Sequence, residues 1–217
     1  MNEMKVFTFD VDEAYAKQHN ELQRNTHSLV ISGIALFVIS LVAAALIWFF
    51  VDPSSHWHML GSAGLALFGV MMLLVTIAIP RALGSAQDLY NAHPLAPAII
   101  TENQGTTVTL TALVNTNVDP EDRPRWALTS LVTKPLPHTA DTVGTKVPVA
   151  AVGAQRTAQE QQRWKTITPM PIAWGTPDTQ VIASARGAVP QEQWRKLERA
   201  CKREDLVQAS KKGLTQL

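Results

Sequence analysis

Leu29–Val51 reads LVISGIALFVISLVAAALIWFFV, 23 residues without a charge. A bilayer core of about 30 Å takes roughly 20 apolar residues in a helix, so this run is long enough to span. A second run, Met59–Ile79 (MLGSAGLALFGVMMLLVTIAI), adds 21 more. From Leu29 to Pro80 the ionisable side chains are Asp52, His56 and His58 alone. A secretory signal has a shorter apolar core behind a short basic start, whereas 28 mostly polar residues come first here. Two buried helices of a soluble protein are the other reading. Length and composition favour a pair of uncleaved spans.

The connector Asp52–His58 (DPSSHWH) has seven residues, which forces an antiparallel helical hairpin. It carries no Lys or Arg, while Lys17 and Arg24 precede the first span and Arg81 follows the second. Basic residues stay on the cytoplasmic side. The expectation is a two-pass plasma-membrane protein with both termini cytoplasmic, and with Trp48 and Trp57 at the outer interface. Over the whole chain 19 basic residues balance 18 acidic ones, which points to no strongly charged partner such as nucleic acid. Cys201 is the one cysteine, so there is no internal disulfide and no thiolate metal cluster.

Residues 1–28 read as a cytoplasmic arm (KVFTFDV) and a polar helix leading into the first span, with Asp12 able to cap it. Residues 81–97 read as a juxtamembrane linker. Beyond it, residues 98–217 carry β-strand patterns: Thr106–Val118, Arg125–Thr133 and Lys146–Val152, separated by turns at Asp119-Pro120 and Val143-Gly144. Pro148 marks its strand as an edge or bulged one. Gln180–Ala185 reads as a helical turn. Val189–Trp194 starts a helix with Pro190 in its first position, and Trp194, Leu197 and Cys201 recur at helical spacing. The fold class is therefore α+β: a transmembrane hairpin, then a small antiparallel sheet or open β-barrel with a C-terminal helix.

Chemistry is sparse. The spans hold no ionisable side chain, and such groups mark ion paths and proton relays. His56 and His58 form an H-x-H pair, but a zinc site needs three or four ligands. Ser130 and Lys134 share one face of a strand and lack a third partner for a Ser-Lys pair. Arg195, Lys196, Arg199, Lys202 and Arg203 form a basic run, diluted by Glu198, Glu204 and Asp205. A solvated helix face is its first reading, and contact with anionic lipid head groups the second. No cofactor, metal or catalytic residue is indicated. In the second span Ser62, Ala66 and Gly69 lie on one face, the kind of small-residue stripe along which helices approach closely in lipid. Its partner is a larger membrane complex, the chain's own first span, where Gly33, Ser40 and Ala44 make a similar stripe, or both.

Thr168–Asp178 (TPMPIAWGTPD) is stiff and apolar at once, and no central strand holds three prolines in eleven residues. It either closes the barrel's core or presents a docking surface through Met170, Ile172 and Trp174. The expectation is that Trp174 is core and that Met170 and Ile172 are the more exposed. Together with Val143–Gly153 (VGTKVPVAAVG), Arg163–Asp178 and Val189–Trp194 (VPQEQW), this stretch resembles an uncharacterised actinobacterial family of two-span membrane proteins with a C-terminal soluble domain, over residues 95–205. Size and architecture are also similar to a small accessory subunit of the actinobacterial respiratory supercomplex, which joins cytochrome bcc to cytochrome oxidase. The resemblance implies no catalytic residues. It implies a non-catalytic accessory or assembly subunit that leans on a larger complex through its hairpin. The alternative is a membrane-anchored ligand-binding sensor or enzyme domain.

Overall fold

A computed structural model of the chain describes residues 5–119, 122–156 and 161–217. It separates into two units, one made of Glu21–Gly84 and one that joins the N-terminal residues through Asn20 to Ser85–Leu217.

The first unit is a helical hairpin of α2 (Glu21–Phe50) and α3 (His56–Leu83). Within them His27–Phe50 and His56–Ile79 are long and apolar enough to cross a membrane. Small residues set the contact between the helices. A Cβ on Gly33 would fall onto the Thr76 side chain, and one on Gly69 would lie 3.3 Å from Ser40 Cβ. Ser40, Ala44, Ser62 and Thr76 are buried in the same seam. Each hydroxyl there donates to a carbonyl four residues back in its own helix: Ser40 to Leu36, Ser62 to His58, Thr76 to Met72. No hydroxyl in this seam is left facing lipid without a partner, which would be costly. Ser62 and Gly69, expected to dock on a partner, are buried in this seam. Their face is filled by the first span, because glycine and serine let the chain's own two backbones meet; Ala66 on the same face is half-buried.

The second unit opens with an arm and the short helix α1 (Glu13–His19), capped by Asp12 Oδ1, which accepts from Tyr15 N at 2.9 Å. After the hairpin comes α4 (Ala86–Ala92), started by a reciprocal Ser85–Asp88 capping box. Strands β1 (Leu95–Asn103), β2 (Val108–Asn115), β3 (Trp126–Thr133), β4 (Lys146–Gln155), β5 (Thr166–Pro171) and β6 (Thr215–Gln216) form one antiparallel sheet in the order β5-β4-β1-β2-β3-β6. The sheet curls into a half-barrel. Thr129 Oγ1 on β3 donates to Ile167 O on β5 at 3.0 Å, across a gap that three strands separate in the sheet order. At one end Trp164 N donates to Thr116 O at 2.8 Å. Three helices then cross the sheet in sequence: α5 (Thr179–Ala188) against β4, α6 (Gln191–Cys201) against β1 and β2, and α7 (Glu204–Ser210) against β3. Leu95–Ile100 are buried without alternation, since one face of β1 meets the helices and the other the half-barrel's interior.

Prolines in this sheet sit where a missing donor does no harm. Pro148 is not on an edge strand, since β4 lies between β5 and β1, but β4 is bulged, the other half of that expectation: its register with β5 shifts between Gly153 and Gln155. Pro148 stands opposite Pro97, and each lies one residue outside the pairing with its other neighbour, which begins at Ala98 for β1–β2 and at Val149 for β4–β5. Leu95 N donates away from β4, to Lys5 O, so Pro97's nitrogen also faces away from β4, toward a place where pairing has ended. Residues 81–97 are likewise more than a linker. They contain α4 and the start of β1, whose strand pattern Pro94 and Pro97 obscure in the sequence. The turn at Asp119-Pro120 runs into residues 120–121, outside the described ones.

The arm is stitched into this domain rather than continuing as one helix into the first span. Gln87 acts as a substitute strand for it: Val11 N donates to Gln87 Oε1 and Gln87 Nε2 donates to Phe9 O, both at 2.8 Å. Asp12 N donates to Gly175 O at 2.9 Å. The stretch TPMPIAWGTPD becomes edge strand β5, a 3-10 turn at Ile172–Trp174, and the N-cap of α5, where Asp178 Oδ1 accepts from Gln180 N at 2.7 Å. Trp174 is 2% exposed, as expected of a core residue, but Met170 and Ile172 are no more open, at 0% and 1%. Their expected exposure is overturned because α1 and α4 cover this edge. Asn20 Nδ2 lies 3.3 Å from Met170 Sδ, and the Tyr90 hydroxyl donates to Pro171 O at 2.6 Å.

Candidate functional site

Most polar groups singled out in the sequence are engaged in holding the fold. His58 Nδ1 lies 2.9 Å from Val51 O and its ring 4.6 Å from that of Trp48, closing the hairpin loop. Asp52 Oδ1 accepts from Ser54 N and Oγ, which lowers its pKa. Among the described residues, no three His, Cys, Asp or Glu side chains gather as a metal site would need. Ser130 shares hydrogen bonds with Ser210 Oγ at 2.6 Å and Thr111 Oγ1 at 3.0 Å, in a hydroxyl chain that continues to Thr101 and ties β1–β3 to α7. It is not poised beside a base. Cys201 is half-buried, and burial followed by the nearby Glu198 pushes its thiol up to about 11. A thiol so rarely ionised at neutral pH is a poor nucleophile.

The basic run divides. Arg203 pairs with Asp205 at 2.8 Å at the start of α7, and Lys202 caps α6. Arg195, Lys196 and Arg199 remain together with Glu192 on one ridge of α6, at spacings of three and four residues. The opposite ridge, Trp194, Leu197 and Ala200, is buried. Between the charged ridge and the approach to β3 runs an open groove of about 670 Å³, lined by Pro124, Trp126, Glu192, Gln193, Arg195, Lys196 and Arg199. Lys196 Nζ lies 4.8 Å from the Trp126 ring centroid. Burial, and then the Arg199 charge, lowers the pKa of this ammonium. Arg195 and Arg199 are exposed, and Arg199 Nε donates to Arg195 O at 3.2 Å.

Gln193 is the anomaly of this groove. It is 1% exposed, and neither Nε2 nor Oε1 has a hydrogen-bond partner. A buried amide left unsatisfied costs about 1–3 kcal/mol per group, and native folds rarely keep one without a reason. Sequence reading found the cations but missed Trp126 and Gln193. The one available signal was a glutamine on the apolar side of α6, next to Trp194.

A family profile described as "Protein of unknown function (DUF3239)" matches residues 81–205. A crystal structure described as that of a "putative membrane protein" from Corynebacterium diphtheriae is 44% identical, with a TM-score of 0.52, over 57% of this chain and 99% of that one. No curated protein matches. The structural relative comes from an actinobacterium, in line with the resemblance read from the sequence. The profile takes in more than half of the chain, from the end of α3 through all five long strands to the start of α7, and the chain therefore belongs to this family of proteins of unknown function, DUF3239.

Proposed function

We propose that the protein is a non-catalytic accessory subunit of a larger membrane complex, anchored by its hairpin. The observation that carries this reading is how the hairpin uses its two kinds of surface. Small and hydroxyl-bearing residues are consumed between α2 and α3, and the outward side of α3 is apolar, with Leu60, Leu67, Phe68 and Met71 exposed around Gly64. A Cβ on Gly64 would meet nothing within 4 Å, so the helix has an open notch where a neighbouring helix can approach closely. The structural duties of His58 and Ser130 and the protonated thiol of Cys201 support a role without catalysis.

The finer reading takes the partner to be the actinobacterial respiratory supercomplex, on the likeness in size and two-span architecture and on the actinobacterial relative. In it the protein lies in the plasma membrane with both termini cytoplasmic. Lys17, Arg24 and Arg81 support that orientation. The hydrogen bonds that join the arm to the domain support a chain that enters and leaves the bilayer on the same side. The test is purification of the tagged protein in mild detergent. Cytochrome haem absorption should co-purify in fixed ratio, and Gly64→Leu should lower that ratio severalfold while the protein accumulates normally. Haem-free protein at full yield overturns the supercomplex assignment.

A further inference from the structure

We propose that the groove between α6 and the approach to β3 binds a phosphate group, carried by an organic body that lies against Trp126 and Pro124. This does not depend on docking of the hairpin. Charge comes first. Arg195, Lys196 and Arg199 against Glu192 leave two net positive charges along the groove, which suits a phosphomonoester of about −1.5 to −2 at neutral pH. Guanidinium and ammonium groups only donate hydrogen bonds, and phosphate oxygens only accept them. Lys196 rests on the Trp126 ring, a contact that an incoming anion can exchange for a charge-assisted hydrogen bond.

Gln193 is the second and independent observation. The residue is 1% exposed and stands among those that line the groove, and its buried amide has both a donor and an acceptor unused. A phosphate oxygen satisfies the Nε2 donor. The free Oε1 acceptor calls for a hydroxyl or N–H on the body next to the phosphate. The ring of Trp126 and the side chain of Pro124 offer that body an apolar wall. Two sources carry such chemistry, a hydroxylated anionic lipid head group and a soluble phosphate ester.

The experiment uses the full chain in phosphatidylcholine nanodiscs, with inorganic phosphate as the probe and tryptophan fluorescence as the readout, against chloride at equal ionic strength. Phosphate should produce a saturable change that chloride does not. The exposed pair R195Q/R199Q should raise the half-saturating concentration at least about tenfold, the scale on which a charged bidentate contact acts. Gln193→Leu should abolish any preference for glycerol 3-phosphate over inorganic phosphate. The same titration in phosphatidylglycerol nanodiscs separates the sources. A higher half-saturating concentration there means that the lipid head group already occupies the groove, and an unchanged one means a soluble ester. A phosphate response that is absent in phosphatidylcholine discs, equal to that of chloride, or unaltered in R195Q/R199Q overturns the proposal.

Discussion

At Gly175 the chain leaves no room for a side chain. A Cβ there would lie 2.7 Å from Tyr90 Cε2 and 2.9 Å from Phe9 Cζ, so this glycine lets the arm and α4 close over the 3-10 turn. Trp174, one residue earlier, fills the space beneath. Truncating so large a buried side chain leaves a cavity and costs about 3–5 kcal/mol, a large share of an ordinary domain's stability. Trp174→Ala in the full chain should therefore lower the domain's melting temperature by roughly ten degrees or more. Thermal melts in detergent check this, and a variant melting within about a degree of the parent removes Trp174 from the core. The full chain is needed, because a fragment that starts after the hairpin lacks the N-terminal residues that reach Met170 and Gly175.

Elements in this protein hold together by opposite means in its two units. In the hairpin, α2 and α3 meet where side chains are smallest, and van der Waals contact between backbones supplies the attraction. Leucine at Gly33 would have to displace Thr76. Gly33→Leu should destabilise the hairpin by about 1–3 kcal/mol, the usual cost of overpacking, and should reduce the protein recovered from membranes. Quantitative immunoblotting of membrane fractions, with Gly64→Leu as the sterically free comparison, reads the difference. Equal recovery of the two variants means that the seam is looser than its geometry. In the domain, strands and helices meet through β-branched and aliphatic side chains, with hydroxyl bonds such as Thr111–Ser130–Ser210 aligning α7 on the sheet.

For the whole molecule the telling feature is that chain from both sides of the hairpin completes one domain. The arm's bonds to Gln87, Gly175 and Leu95 join residues from before and after the hairpin in one folded unit. Orientation is best read with a thiol placed in the connector, since the native Cys201 is half-buried with a pKa raised to about 11. In Ser54→Cys on a Cys201→Ser background, a membrane-impermeant maleimide should label intact cells. Labelling only after the membrane is opened reverses the orientation and places the domain outside.

The sequence by itself determined the hairpin, because two uncharged apolar runs of spanning length are joined by a connector of only seven residues. It also determined β2, β3 and β4 to within a few residues, through the alternation and β-branched content of Val108–Asn115, Trp126–Thr133 and Lys146–Gln155. Tertiary structure decided the rest. Whether the Ser62–Gly69 stripe meets a partner or the first span depends on where Thr76 and Ser40 lie on the helices. Whether Met170 and Ile172 are covered depends on an arm 150 residues away in sequence from the residue it shields. The groove exists only because α6 is laid beside the approach to β3. There Trp126 and Gln193, unremarkable where they stand in the chain, meet a basic ridge some seventy residues from the tryptophan. Contacts of that separation are set by packing, and local sequence carries no trace of them.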